Sequence, residues 1–271
     1  MCAQANAETV LDRILESRRA EVEHRKKVLP ETALKYGVQA ASPLRDYARA
    51  LSGPGINIMA ELKPASPSRG VMREPFDAAG LAQTLEATGA VALSVLTEPE
   101  FFRGSLKNLR DARNSVKVPV LRKDFIFDPW QVWETRANDA DSFLLIVATL
   151  SDAQLKELLA LGRELGMEPV VEVHTREELD RAIAAEARII GVNNRNLRTL
   201  EIRTDTSFEL VDTIPEACIA ISESGIRTHA ELLKLRAAGF DAFLIGTRLM
   251  LSSDPAAVLG ELLGRAAAQG Q

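Results

Sequence analysis

Charged side chains able to move protons recur at the ends of apolar runs in this chain. The first case is Glu61-Leu62-Lys63, which closes the run from Ile56 to Ala60. Side chains two apart on an extended segment share a face, so this acid and base point the same way. Pro64 and Pro67 then stop any strand, which puts both charges where a strand meets a loop. The same design recurs in Leu121-Arg122-Lys123-Asp124-Phe125, in Val170-Val171-Glu172-Val173, in Gly191-Val192-Asn193-Asn194-Arg195-Asn196 and in Ser222-Glu223-Ser224-Gly225. A lysine is protonated at neutral pH, with a reference pKa of about 10.4, and can donate a proton. A glutamate, at about 4.3, acts untuned as a base or an electrostatic partner.

Each residue alone has a structural reading. Lys123 can be a surface lysine, Glu172 half of an ion pair, and Asn193 and Asn194 can cap a turn. Convergence changes the balance. If the runs are neighbouring strands of one barrel, Glu61, Lys63, Lys123, Glu172, Asn193 and Glu223 meet at one mouth, and unpaired buried charge is costly.

The elements that would bring them together follow from the repeat. After residue 55, apolar runs start near Ile56, Ala92, Val118, Ser142, Glu168, Ile189, Cys218 and Ala242. Between them lie amphipathic stretches, among them 77–89, 155–166, 177–186 and 230–239; three of these end at glycine, as helix C-termini often do. The runs are continuous rather than alternating, as in Phe143-Leu144-Leu145-Ile146-Val147, which suits parallel strands covered on both faces. Eight such units predict an α/β fold, a (β/α)8 barrel with chemistry at the C-terminal ends of its strands. A doubly wound open sheet is the alternative. Residues 1–50 fall outside the repeat. Val10, Ile14, Arg18 and Glu21 lie on a charged helix and a second helix is expected after Pro43, so 1–50 reads as a helical cap on a single domain of 1–271.

Composition narrows the function. The 271 residues are 46% hydrophobic and 26% charged, which suits one large barrel. A net charge of −5 argues against nucleic acid as the main partner. The longest apolar runs are too short to span a bilayer, and the N-terminus, with Glu8, Asp12 and Glu16, lacks an apolar signal core. A soluble, cytoplasmic protein is expected. Cys2 and Cys218 make no disulfide framework, and His24, His174 and His229 have no metal-ligand spacing. No phosphate-binding Walker loop or Gly-x-Gly-x-x-Gly follows a strand, so no nucleotide cofactor is indicated. Ser224-Gly225 and Gly246-Thr247, by contrast, each put glycine beside a hydroxyl ahead of a helix. Barrels commonly hold phosphate between the loops after strands seven and eight, so these four are the expected phosphate site.

These motifs resemble the indole-3-glycerol phosphate synthase family over essentially the whole chain. The resemblance rests on Glu61-Leu62-Lys63 with Ser66-Pro67-Ser68, on Leu121 to Phe125, Gly191 to Arg195, Ser222 to Ile226 and Ile245-Gly246, together with the charged N-terminal helix. Pro64 departs from the family, where many members carry Lys or Arg. The resemblance implies closure of an indole ring on 1-(2-carboxyphenylamino)-1-deoxyribulose 5-phosphate with loss of carbon dioxide and water, without cofactor or metal. By that likeness Lys123 is the acid for ring closure and Glu172 its partner, while Lys63 and Glu61 share the acid and base work of dehydration. Asn193, Arg195, Glu223 and Ser66 would hold substrate, and Phe125 would wall its aromatic ring. Arg195 can grip a carboxylate with two hydrogen bonds. The implied partners are the phosphorylated substrate and, in transient contact, neighbouring tryptophan-pathway enzymes. A Schiff-base aldolase, the sister isomerase of the pathway and a non-catalytic phosphate-sugar binder are the competing readings.

Overall fold

A computed structural model describes residues 9–265. Cys2 and Glu8 lie outside the described residues. Eight parallel strands close into a barrel: β1 (Asn57–Leu62), β2 (Ala92–Leu96), β3 (Val120–Lys123), β4 (Ser142–Ile146), β5 (Val170–Val173), β6 (Ile189–Asn193), β7 (Ile219–Glu223) and β8 (Ala242–Ile245), with β8 paired to β1. Each expected run is a strand, beginning within two residues of the expected start. The four expected helices are also present, as α4 (Ala78–Thr88), α7 (Asp152–Glu164), α8 (Arg176–Ala184) and α10 (His229–Ala237). Side chains of Asp77, Ser151, Thr175 and Thr228 cap their N-termini by accepting backbone N–H groups left free in the first turn. Gly89, Gly166 and Gly239 follow three of them with φ of +113°, +80° and +118°, a conformation that glycine adopts without penalty.

Two apolar layers hold the barrel. Outward residues such as Ile58, Leu93, Phe143, Val171 and Ile190 pack beneath the helices, while Met59, Leu121, Val170 and Ile221 fill the interior. The N-terminal segment closes both ends. Leu11 and Ile14 of α1 (Val10–Val28) join the interior cluster from the mouth. Tyr47 and Leu51 of α3 (Tyr47–Leu51) join it from below, where Asn57 Nδ2 donates to the Leu51 carbonyl at 3.0 Å. The helix expected after Pro43 is thus the short α3. A further helix, α2 (Glu31–Gln39), lies before it and was not anticipated, because its first-turn donors find no side-chain cap and Pro30 serves as N-cap. Leu34 of α2 packs with Val22 of α1 and Trp130 of α6 (Pro129–Ala137).

Among the described residues no helix is long and apolar enough to cross a membrane.

Candidate active site

The hydrogen-bonded register explains how distant residues reach one level. From Glu61 on β1, pairing runs through Ser94 on β2 to Leu121 on β3; two residues further along β3 is Lys123. The same step leads from Lys123 to Glu172 on β5, from Glu172 to Glu223 on β7, and from Glu223 back to Glu61. Inward side chains of a barrel stack in layers of four taken from alternate strands. Here the top layer of the odd strands is Glu61, Lys123, Glu172 and Glu223, and the layer below it is the apolar set Met59, Leu121, Val170 and Ile221. The chemistry therefore sits directly on a dry floor.

Even strands make room for this layer. A Cβ on Gly191 of β6 would overlap Glu223 Oε1, and one on Gly246 at the end of β8 would overlap the Glu61 carboxylate. The bareness of Gly246, read from sequence as access for phosphate, is first a seat for Glu61.

Lys123 Nζ lies 2.8 Å from Glu172 Oε2 and 2.9 Å from Glu223 Oε2. Burial works to lower its proton affinity, but Glu172, Glu223 and Glu61 overcome it, so the ammonium is held well above the usual lysine range. Glu61 is paired with Lys63 two residues on. Glu172 has a second cationic neighbour: His174 Nε2 lies 3.3 Å from its Oε1. Burial pushes Glu172 upward, yet Lys123 and His174 pull it well below the usual carboxylate range. Glu223 shares Lys123 and, among the described residues, pairs with no further cation. Burial, joined by the negative charge of Glu172, pushes it up to about 7 against the pull of Lys123. Its Oε1 is buried without a hydrogen-bond partner among the described residues.

The layer opens into a cavity of about 760 Å³. Every residue expected to act on or hold substrate lines it: Glu61, Lys63, Ser66, Lys123, Phe125, Glu172, Asn193, Arg195 and Glu223, with Ser224, Gly225, Gly246 and Thr247 at one side. Phe102, Leu144, Ile146 and Leu244 complete an apolar wall, with the Phe102 and Phe125 rings 6.3 Å apart. Val10, Leu11 and Ile14 bring the N-terminal helix to the rim.

Loops hold these groups in place. Asn193 Oδ1 accepts the Arg195 N–H at 3.0 Å, and Arg195 Nη1 donates to the Leu200 carbonyl at 3.1 Å, curling the β6 loop over the mouth. Asn194 turns the other way. Its Nδ2 donates to the Ser224 carbonyl at 3.0 Å and its Oδ1 accepts from Ser207, which ties β6 to the turn after β7. In that turn Ser224 and Gly225 both have positive φ, +66° and +86°. Pro64, the departure from the family pattern, is buried; its carbonyl accepts Met72 N–H at 2.8 Å and anchors the hairpin Ala65–Ser66 and Gly70–Val71.

Two contributors escaped the sequence reading. Asp124, next to Lys123, takes Arg18 of α1 through bonds of 2.9 and 2.8 Å and also binds Arg122 and Thr97. Although burial works upward, these cations bring Asp124 down to about 2, and they fasten the N-terminal helix to the end of β3. His174 is the other. It stands two residues after Glu172, the same spacing that exposed Lys63 beside Glu61, so a signal was present. Among the described residues no cluster of three or more His, Cys, Asp or Glu side chains is arranged to hold a metal ion.

A parallel eight-stranded barrel with an acid–base layer at the C-terminal ends of its strands defines a (β/α)8-barrel enzyme. Comparison with known proteins narrows the class. A family profile described as indole-3-glycerol phosphate synthase matches residues 11–262. The protein of that name from Rhodococcus opacus strain B4 is 47% identical over 259 residues, 96% of each chain. The one from Dehalococcoides mccartyi strain CBDB1 is 46% identical, covering 94% of this chain and 100% of its own. Among solved structures, 3-hexulose-6-phosphate synthase from Salmonella typhimurium superposes with a TM-score of 0.62 at 12% identity, over 77% of this chain and 97% of its own, which speaks for the fold alone. The chain belongs to the indole-3-glycerol phosphate synthase family, carboxy-lyases of tryptophan biosynthesis.

Proposed function

We propose that the odd-strand layer performs the family's reaction with a fixed division of labour. The substrate, 1-(2-carboxyphenylamino)-1-deoxyribulose 5-phosphate, lies with its phosphate toward Ser224, Gly225, Gly246 and Thr247 and its aromatic ring against Phe102 and Phe125. Lys123 donates a proton to the C2 carbonyl oxygen as the carboxylate-bearing ring carbon attacks C2, leaving a hydroxyl there. The new bond interrupts the ring's aromaticity, and departure of carbon dioxide returns its bonding electrons to the ring. Dehydration then needs an acid for the departing hydroxyl and a base for the proton on the adjacent carbon. Lys63, Glu61 and Glu223 surround that step. Glu223, lifted to about 7, can both give and take a proton at neutral pH. Asn193, Arg195 and Ser66 orient the substrate.

The observation that carries this reading is the ammonium of Lys123 held between Glu172 and Glu223 at 2.8 and 2.9 Å above an apolar floor. Two carboxylates keep this lysine charged. That suits proton donation and opposes the amine attack an aldolase requires. The test is incubation with the carboxyphenylamino-deoxyribulose phosphate while indole fluorescence is followed. Indole-3-glycerol phosphate and one equivalent of carbon dioxide are expected; substrate recovered unchanged would refute the reading.

A further inference from the structure

Behind the acid–base layer lies a second row of charge that does not reach the cavity. His174 follows β5, and neither it nor Glu178 of α8 lines the pocket. His174 Nδ1 lies 3.0 Å from Glu178 Oε2, and the same oxygen accepts the His174 backbone N–H at 2.7 Å. Glu178 therefore fixes both the main chain and the ring of His174. Glu178 is itself set by the cap of α8, where Thr175 Oγ1 accepts its backbone N–H at 3.3 Å. The opposite ring nitrogen, Nε2, is buried 3.3 Å from Glu172 Oε1, a charge contact without hydrogen-bond geometry, while Glu172 Oε2 faces Lys123. The result is a line of alternating charge: Glu178, His174, Glu172, Lys123, Glu223.

We infer that His174 is a positioning residue, an imidazolium clamped between Glu178 and Glu172, which holds Glu172 ionised and turned toward Lys123 and so leaves Glu223 as the carboxyl that carries the exchangeable proton. This rests on the proposed role of Lys123. The argument is one of charge count. Three carboxylates crowd the mouth; Lys63 and Lys123 are the cations paired with them there, and Arg195 acts at longer range on Glu61. Glu61 pairs with Lys63. Glu172 and Glu223 must then divide Lys123 between them. A third cation on the far side of Glu172 breaks the tie. The groups facing His174 are Glu172 from β5 and Glu178 from α8. Lys123, Glu223 and Glu61 act on it through Glu172, and the flanking turn Val147–Thr149 and strand β6 carry no titratable group. Burial opposes the imidazolium, but the two carboxylates hold it up to about 10, so it stays charged through the working range.

Three variants and one measurement on the parent protein test this. Glu178→Gln keeps a hydrogen-bond acceptor but removes one carboxylate, which lowers the His174 midpoint by about 1–3 units and brings it within assay range. Its kcat is expected to show an alkaline limb beyond the bend that Glu223 gives the parent near neutral pH, falling further as His174 loses its proton. His174→Asn is expected to lose roughly 10- to 100-fold in kcat through misplacement of Glu172, with no such limb and with KM changed less than kcat. The His174→Asn/Glu178→Gln double variant is expected to lack the limb, because no imidazole remains to titrate. Superimposable profiles for Glu178→Gln and parent, or a limb that persists in the double variant, would overturn the assignment. Nitrogen NMR of the parent without substrate reads the same state independently of turnover. Both His174 ring nitrogens are expected to be protonated at about pH 8.5, well above the reference midpoint of about 6.5, and a neutral tautomer there would refute the clamp even if the proposed reaction stands.

Discussion

Glu223 links activity and stability in a way that Glu223→Gln exposes. In the folded protein its carboxyl titrates at about 7, raised by burial and by Glu172. In the unfolded chain a glutamate titrates at about 4.3. Between these values the native state binds more protons than the unfolded state, so stability falls as pH rises. The contribution is fully present below about pH 4 and is lost by about pH 8. A gap of roughly 2.7 units at about 1.36 kcal/mol each makes the loss about 4 kcal/mol. Glutamine keeps an acceptor for Lys123 and cannot ionise, so the variant escapes that loss. At pH 4 the variant and parent should unfold at similar denaturant concentrations. At pH 9 the variant should be more stable by about 4 kcal/mol, which is roughly 8–15 °C in midpoint for a chain of this size. Turnover at neutral pH should fall by about 100- to 10,000-fold, the range for a lost acid or base. Chemical denaturation at the two pH values checks the first claim and indole fluorescence the second. A stability difference that stays constant with pH would refute the account of Glu223.

Lys123→Ala should keep the far-ultraviolet circular dichroism of the parent while kcat drops by about 100- to 10,000-fold, and borohydride added during turnover of the parent should leave no mass adduct on Lys123 or Lys63. Gly246→Ala should press on Glu61 before it reaches a bound phosphate, so kcat should fall by about 100-fold while inhibition by inorganic phosphate changes less. Arg18→Ala leaves Asp124 and its neighbours without their bidentate partner and should cost about 3–5 kcal/mol in urea unfolding, against near-parent stability if α1 merely rests on the barrel.

The fold was legible because its periodicity is strong. Continuous apolar runs such as Phe143 to Val147 and the glycines at 89, 166 and 239 mark where strands and helices fall, and the ends shift by little. Charges at strand ends were equally visible, since a lone Glu172 among valines has few structural uses. The helix Glu31–Gln39 stayed hidden because it lacks a side-chain cap and buries a single leucine, Leu34. Arg18 and Asp124 were hidden for a different reason. Their partnership spans 106 residues, and nothing local distinguishes a bidentate buried arginine from a solvated one. His174 has no metal-ligand spacing, yet alternation carried one residue past β5 puts it on the same side as Glu172.

A layer of like residue types would not do this chemistry. Glu61, Glu172 and Glu223 are the same amino acid on the same level of the same barrel, each taken from an odd strand. Their differences come from what stands beside them. Lys63 is tethered two residues from Glu61, His174 two residues from Glu172, and after Glu223 the corresponding position is Gly225, which offers no charge. Along β1 and β5 alternation puts that second residue on the glutamate's own side of the chain, whereas after Glu223 the turn at Ser224 and Gly225, with φ of +66° and +86°, breaks the alternation. On β5 and β7 that neighbour therefore helps set how firmly Glu172 and Glu223 hold a proton. Carboxyls with separated proton affinities can take different acid and base roles at a single pH. A cation brought beside Glu223 would draw it down toward Glu172 and disable it as a proton carrier, and Gly225 guards against this, because its φ of +86° and the Ile202 and Thr204 methyls at 2.7 and 2.9 Å from a would-be Cβ leave no room for a side chain there.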